Sequence, residues 1–257
     1  MGSESQPAAG VGSLQAHVST LLKRYDDDPM FQDLQTGSQS KKHFPRDWGE
    51  EEKRNVRKHA AWDHFIKLRG SRYADCTLEN FQQTEKSEAA IGRLLAFCER
   101  MPESLDRNLI LLGPSGTGKD HLLTGCVRKA IRTGLTSVGW TSGPVLYSAL
   151  RRGISENRPE DETIRPLLKC RLLVFSDMAM TSLSDYQREI VYRIIDHRYN
   201  NRLATWVSAN VTDRESFEAA TSPQIVDRLI DEAVYVPCNW ESYRKVAANE
   251  LSEAQNQ

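Results

Sequence analysis

The run Asn108-Leu-Ile-Leu-Leu112 passes directly into Gly113-Pro-Ser-Gly-Thr-Gly-Lys119 and then into His121-Leu-Leu, and no other stretch constrains the fold as tightly. A short apolar run closed by glycines reads as a buried strand, and the residues that follow read as a helix start. Glycines between the two let successive backbone N–H groups converge into one concavity at a helix N-terminus, which is an anion site. Gly113, Pro114, Ser115, Gly116, Thr117, Gly118 and Lys119 are therefore expected to cradle phosphate, with Asp120 and His121 opening the helix behind them. Lys119 is placed to reach the β- and γ-phosphates as a point charge. The competing reading is a structural glycine turn. A strand on one side and a helix on the other argue against it.

The remainder of the chain alternates in the same way. Apolar strands are predicted at 137–141, 171–175, 205–209 and 233–236, with helical stretches between them and a helix at 87–100. Such alternation predicts an α/β fold, a mostly parallel five-stranded sheet with helices on both faces. At 257 residues the chain buries enough apolar surface to fold without disulfides or metal. Its five cysteines are odd in number and never form a C-x-x-C pair, which points to a reducing, cytoplasmic setting. No apolar run approaches the roughly 20 residues of a membrane span, and the N-terminus lacks the features of a signal peptide.

The 34 basic and 35 acidic residues leave a net charge of −1, which excludes coating of DNA by bulk charge and permits a local basic patch. One such patch lies at 41–72, with ten Lys/Arg against five Asp/Glu, whereas residues 1–40 are acidic on balance. Within it a helix is predicted from Asp47, capped by Glu50, to Gly70, and a shorter one at 13–25. The face Lys53, Arg54, Arg57, Lys58 reads either as a solvated surface or as a docking or nucleic-acid-facing surface. Arg151 and Arg152 carry the same two readings.

Two positions depart from the usual phosphate-site pattern. The residue after the lysine is ordinarily Ser or Thr and ligates magnesium; here it is Asp120. The second element of the pattern is an apolar strand ending in an acidic residue; here Leu172-Leu-Val-Phe175 is followed by Ser176 before Asp177. A carboxylate and a hydroxyl have thus traded places. Asp120, Ser176 and Asp177 are the candidate metal ligands, able in principle to rebuild a mixed oxygen shell. That arrangement predicts nucleotide affinity unusually dependent on Mg2+ and slow or absent hydrolysis, with Asp177 orienting the attacking water.

With these blocks in order, the chain resembles the AAA+ helicase-loader family of DnaC type and its IstB-type transposition-helper relatives. The resemblance rests on Arg72-Tyr-Ala-Asp-Cys-Thr-Leu-Glu-Asn-Phe81, the phosphate loop, Ser137-Val-Gly-Trp-Thr141, Leu172-Leu-Val-Phe-Ser-Asp177, Thr205-Trp-Val-Ser-Ala-Asn210, Ile225-Val-Asp-Arg228 and Ser242-Tyr-Arg244. It implies an AAA+ domain at 70–246; residues 1–69, which the resemblance does not cover, are read from their composition and spacing as a partly disordered helical extension, and 247–257 as a tail. It also implies ATP with Mg2+ as cofactors, and a homo-oligomer when ATP is bound. The implied partners are a replicative helicase or a transposase, and single-stranded DNA. By the same resemblance Asn210 is the sensor at a strand end, Arg228 the arginine finger that reaches a neighbour's nucleotide, and Arg244 the arginine that leans on the nucleotide in cis. Arg198 is a second candidate for the trans role. A hydrolysis-deficient adaptor is the alternative function. Trp140, Trp206 and Phe175 are read as core, and Trp240 and Tyr243 as packing beside the site.

Overall fold

Every residue of β1 (Leu109–Leu112) is buried, and a strand with no solvent face must lie inside a sheet covered on both sides. In the computed structural model, which describes residues 48–179 and 183–244, β1 runs parallel between β4 (Ala204–Ala209) and β5 (Val234–Pro237). β3 (Leu172–Ser176) pairs with β4, and β2 (Val138–Ser142) with β3, again in parallel. The order β2-β3-β4-β1-β5 is the expected five-stranded parallel sheet. Each strand begins and ends within one residue of its predicted bounds.

Alternation along β1 sorts its side chains into two cores. Leu109 and Leu111 pack with Leu94, Phe97 and Trp206 under α2 (Glu88–Glu99) and α3 (Lys119–Thr133). Ile110 and Leu112 point to the opposite face, with Leu146, Phe175, Ile190, Ile194 and Ile225. That face is covered by α4 (Gly143–Ser155), α5 (Glu160–Lys169), α6 (Asp185–Asn200), the short α7 (Arg214–Ala220) and α8 (Pro223–Ile230). Trp206 sets its ring edge-on to Phe97 at 5.6 Å, so it is core, as its place in a strand predicts. No helix among the described residues is long and apolar enough to cross a membrane.

The chain divides into two compact units, 1–60 and 61–257. Helix α1 (Glu50–Arg69) supplies Ala61 and Phe65 to the first core. At the helix start the Gly49 N–H donates to Glu52 Oε2 (2.9 Å), so Glu52 makes the capping contact expected of Glu50. The predicted helix at 13–25, the residue Asp47 and the tail at 247–257 lie outside the described residues.

Arg198 is corrected by its burial. It is fully enclosed, and its guanidinium donates from Nη1 to the carbonyls of Leu167 (2.7 Å) and Cys170 (2.8 Å). Nη2 donates to Ala204 O (2.6 Å) and Nε to Thr205 Oγ1 (2.9 Å). It fastens the end of α5 to the start of β4 and cannot reach another subunit. Removing such a donor strands several buried acceptors, each costing about 1–3 kcal/mol. Arg198→Ala is therefore expected to lower unfolding stability by about 3 kcal/mol or more in urea titrations, whereas a trans role would leave stability near wild type.

Candidate functional site

The phosphate loop leaves β1 and enters α3 through Gly116 and Gly118, both left-handed (φ 86° and 82°). A Cβ on Gly116 would stand 2.0 Å from Ser242 Oγ, and one on Gly118 2.7 Å from the Phe81 ring, so neither position admits a side chain. The carbonyl side of the loop is taken up by the protein itself. Gly116 O accepts from the Tyr243 N–H (3.0 Å) and Thr117 O from Trp240 Nε1 (2.9 Å). Lys119 Nζ donates to Gly113 O (2.7 Å) and Pro114 O (2.8 Å), and Thr117 Oγ1 also donates to Pro114 O (3.0 Å). Ser115 is exposed at the tip. Burial pulls the Lys119 ammonium below its ordinary value, and the Cys238 thiol, Asp177 and Asp120 oppose that shift.

Two strand ends complete the edge. Asp177 follows β3 and Asn210 follows β4, and Asn210 Nδ2 donates to Asp177 Oδ1 (3.0 Å). The Asp177 N–H donates to Ser208 Oγ (3.1 Å), which holds the turn after β3 against β4. Burial raises the Asp177 carboxyl above its usual range and the charge of Asp120 raises it further, while Lys119, the Asn210 hydrogen bond and Arg69 pull the other way. Lys119, Asp120, Asp177 and Arg69 thus share one electrostatic cluster.

Arg69, at the end of α1, was invisible in the sequence. Its Nη2 stands 2.5 Å from Asp120 Oδ2, and only 9% of its side chain is exposed. The contact lacks hydrogen-bond geometry, so Arg69 Nη2 is buried without a hydrogen-bond partner among the described residues, and so is Asp120 Oδ1, the other oxygen of the carboxylate. The guanidinium carbon lies 3.5 Å from the Tyr73 ring centroid and 5.0 Å from that of Trp140. Trp140 Nε1 in turn donates to Ser176 Oγ (2.9 Å). Trp140, read as core from the sequence, is half-buried, packing against the first core as well as standing beside the site.

The three candidate metal donors are therefore each engaged: Asp120 by Arg69, Ser176 by Trp140 and Asp177 by Asn210. Among the described residues no group of three or more His, Cys, Asp or Glu side chains could hold a metal ion. A cation, Arg69, thus faces the Asp120 carboxylate at the position where the sequence places a metal ligand.

The other expected residues divide. His121 turns away from the cradle: its Nε2 sits 2.8 Å from Thr77 O and 2.9 Å from Asn80 Oδ1, and its ring meets Phe81 edge-on. Its side chain anchors α3 to the 77–81 segment. Arg244 lies close enough to Lys119 to lower it electrostatically. Arg228 is engaged on α6, donating from Nε to Asp196 Oδ1 (2.7 Å) and from Nη2 to the Tyr192 hydroxyl (2.9 Å), not pairing with the neighbouring Asp227 or Asp231.

The sequence profile described as "IstB-like ATP binding protein" matches residues 48–250. The chain is similar to the replicative helicase loader DnaC of Escherichia coli (strain K12), 22% identical over 174 residues covering 67% of this chain and 70% of that protein. Its structure is similar to the crystal structure of the DnaC helicase loader, with TM-score 0.58 and 19% identity, covering 67% of this chain and all (100%) of that one. It is also similar to replication initiator DnaA bound to AMPPCP and single-stranded DNA, with TM-score 0.53 and 21% identity over 72% of this chain and 56% of that one. These likenesses establish the AAA+ fold.

Asp177 ties stability to pH. Its carboxyl is raised above the ordinary 3.8, so the folded state holds the proton more tightly than the unfolded chain. The stabilisation this brings is present below 3.8 and is lost as pH rises through the folded value. Asp177→Asn removes the disfavoured charge and keeps an oxygen for Asn210. Thermal melts are expected to show a higher Tm for the variant at about pH 7, with the gap closing toward about pH 3. A variant less stable than wild type at neutral pH would contradict this.

Proposed function

The chain belongs to the IstB-like ATP-binding protein family, and on that footing we propose that it is an ATP-binding AAA+ accessory protein of DNA replication, acting as a helicase loader acts. The observation that carries the reading is the Lys119 ammonium, buried and held by Gly113 and Pro114 carbonyls inside a loop of left-handed glycines. An ammonium kept there by two neutral acceptors is a charge awaiting an anion. When ATP binds, the loop amides and Lys119 take its phosphates, and Arg244 adds positive charge beside Lys119. Asn210 and Asp177 stand together at the strand edge, where a water facing the terminal phosphate would be oriented. Nucleotide state then governs the partner surface. The similarity to helicase loaders favours a replicative helicase over a transposase, and Arg151 and Arg152, both exposed on α4, are the candidates for single-stranded DNA.

A second reading has its own support. Asp120 is paired with a guanidinium where a magnesium ligand is usual, which favours an adaptor that binds nucleotide and hydrolyses it slowly or not at all. In the hydrolysing form, copies assemble side by side and Arg228 exchanges its Asp196 contact for a neighbour's terminal phosphate.

Two measurements test these readings. Lys119→Ala is expected to weaken ATP binding in calorimetry by about 2 kcal/mol or more, roughly 30-fold, and equal affinity would remove the cradle from the account. If wild type hydrolyses ATP, mixing Arg228→Ala with Lys119→Ala protein is expected to restore turnover that neither has alone, since an arginine supplied in trans is worth about 10³–10⁵ in rate. Wild-type turnover without complementation at any ratio would assign a cis mechanism. No turnover in wild type, with binding intact, would assign the adaptor.

A further inference from the structure

We propose that the Arg69 guanidinium takes the place of the divalent cation in this phosphate site, so that the chain binds nucleoside triphosphate without one. The inference rests on the nucleotide reading of the Gly113–Lys119 loop and specifies how that site is neutralised.

A carboxylate directly after the loop lysine sets a negative charge beside the phosphates. Two like charges about 4 Å apart repel by about 4 kcal/mol at an effective dielectric near 20, so such a site needs a local cation. The protein supplies one: Arg69 Nη2 stands 2.5 Å from Asp120 Oδ2. The guanidinium is also fixed in orientation, with the Tyr73 ring 3.5 Å away and the Trp140 ring at 5.0 Å. Aromatic faces hold a planar guanidinium by charge–quadrupole attraction and by stacking. The same indole that flanks Arg69 donates to Ser176 Oγ (2.9 Å), so one side chain positions the replacement cation and ties up the hydroxyl that stands where the first acidic ligand is usual.

The guanidinium also has capacity to spare. Arg69 Nη2, although 2.5 Å from Asp120 Oδ2, is buried and makes no hydrogen bond among the described residues. A guanidinium offers five donors in a fork that matches phosphate oxygens, so Arg69 can bridge Asp120 and a phosphate as a metal ion bridges a side chain and a phosphate. It carries a single charge where magnesium carries two. It therefore neutralises the bound phosphates less fully, which agrees with binding and slow turnover.

The test is titration of the full-length chain with a fluorescent ATP analogue, in excess Mg2+ and again in excess EDTA. Wild type is expected to give dissociation constants within about threefold of each other. Arg69→Gln is expected to bind at least about tenfold more weakly than wild type in EDTA, and Arg69→Lys, which keeps the charge and loses the fork, to fall between. The proposal is overturned if wild-type affinity drops about tenfold or more on removing Mg2+, or if folded Arg69→Gln binds like wild type in EDTA. The wild-type comparison decides the matter even if Arg69→Gln fails to fold. Failure of the nucleotide reading has a different signature: Lys119→Ala would then match wild type in both buffers, and the role of Arg69 toward phosphate would fall with it.

Discussion

Parallel pairing is the constraint from which the site follows. In the β1–β4 register Leu112 stands opposite Ala209, and in the β3–β4 register Phe175 stands opposite Val207. The chain therefore leaves β1, β3 and β4 at one edge of the sheet, carrying Gly113, Asp177 and Asn210 with it. Open parallel sheets bind ligands beyond the carboxyl ends of their strands for this reason. One antiparallel strand in the middle would send one of the three to the far edge. The two apolar cores matter to function chiefly because they fix this register.

Within that edge the organising problem is electrostatic. Lys119 and Asp177 are both partly removed from water, and burial works against the charged form of each. They stabilise one another, and Asp120 adds a second negative charge that pushes Asp177 further up. Arg69 returns the balance, clamped by two aromatic rings and by the carboxylate. The exchange of a hydroxyl for a carboxylate after the loop lysine thus has a counterpart elsewhere in the chain.

The sheet was legible in the sequence because strands buried on both faces are unbroken apolar runs, and Leu109–Leu112 and Leu172–Ser176 have no exposed residue at all. The phosphate loop was legible because few sequences need glycines so closely spaced. Residues whose meaning depends on distant partners were not. Arg69 is one of 34 basic residues, and nothing local says that α1 ends against Asp120. Arg198 looks like a surface arginine on a helix until α5 and β4 close over it. Arg228 sits beside Asp227 in sequence, yet its carboxylate partner is Asp196 on α6. His121 follows the loop immediately, but the 3.6-residue turn of α3 swings its ring to Thr77 and Asn80.

The stretch after β5 carries a constraint of a different kind. The Cys238 N–H is bonded to Leu112 O (2.6 Å), the Trp240 indole to Thr117 O (2.9 Å) and the Tyr243 N–H to Gly116 O (3.0 Å). Three fixings on one short segment hold it against the end of β1 and the middle of the phosphate loop, so the segment works as a clamp of fixed length. Side chains at the intervening positions can vary, since two of the three bonds come from the backbone. The number of residues cannot. Inserting or deleting one residue between Cys238 and Tyr243 would misalign every later fixing and drive Ser242 off the face of Gly116. In this chain the length of the segment is as much a part of the site as any side chain in the loop.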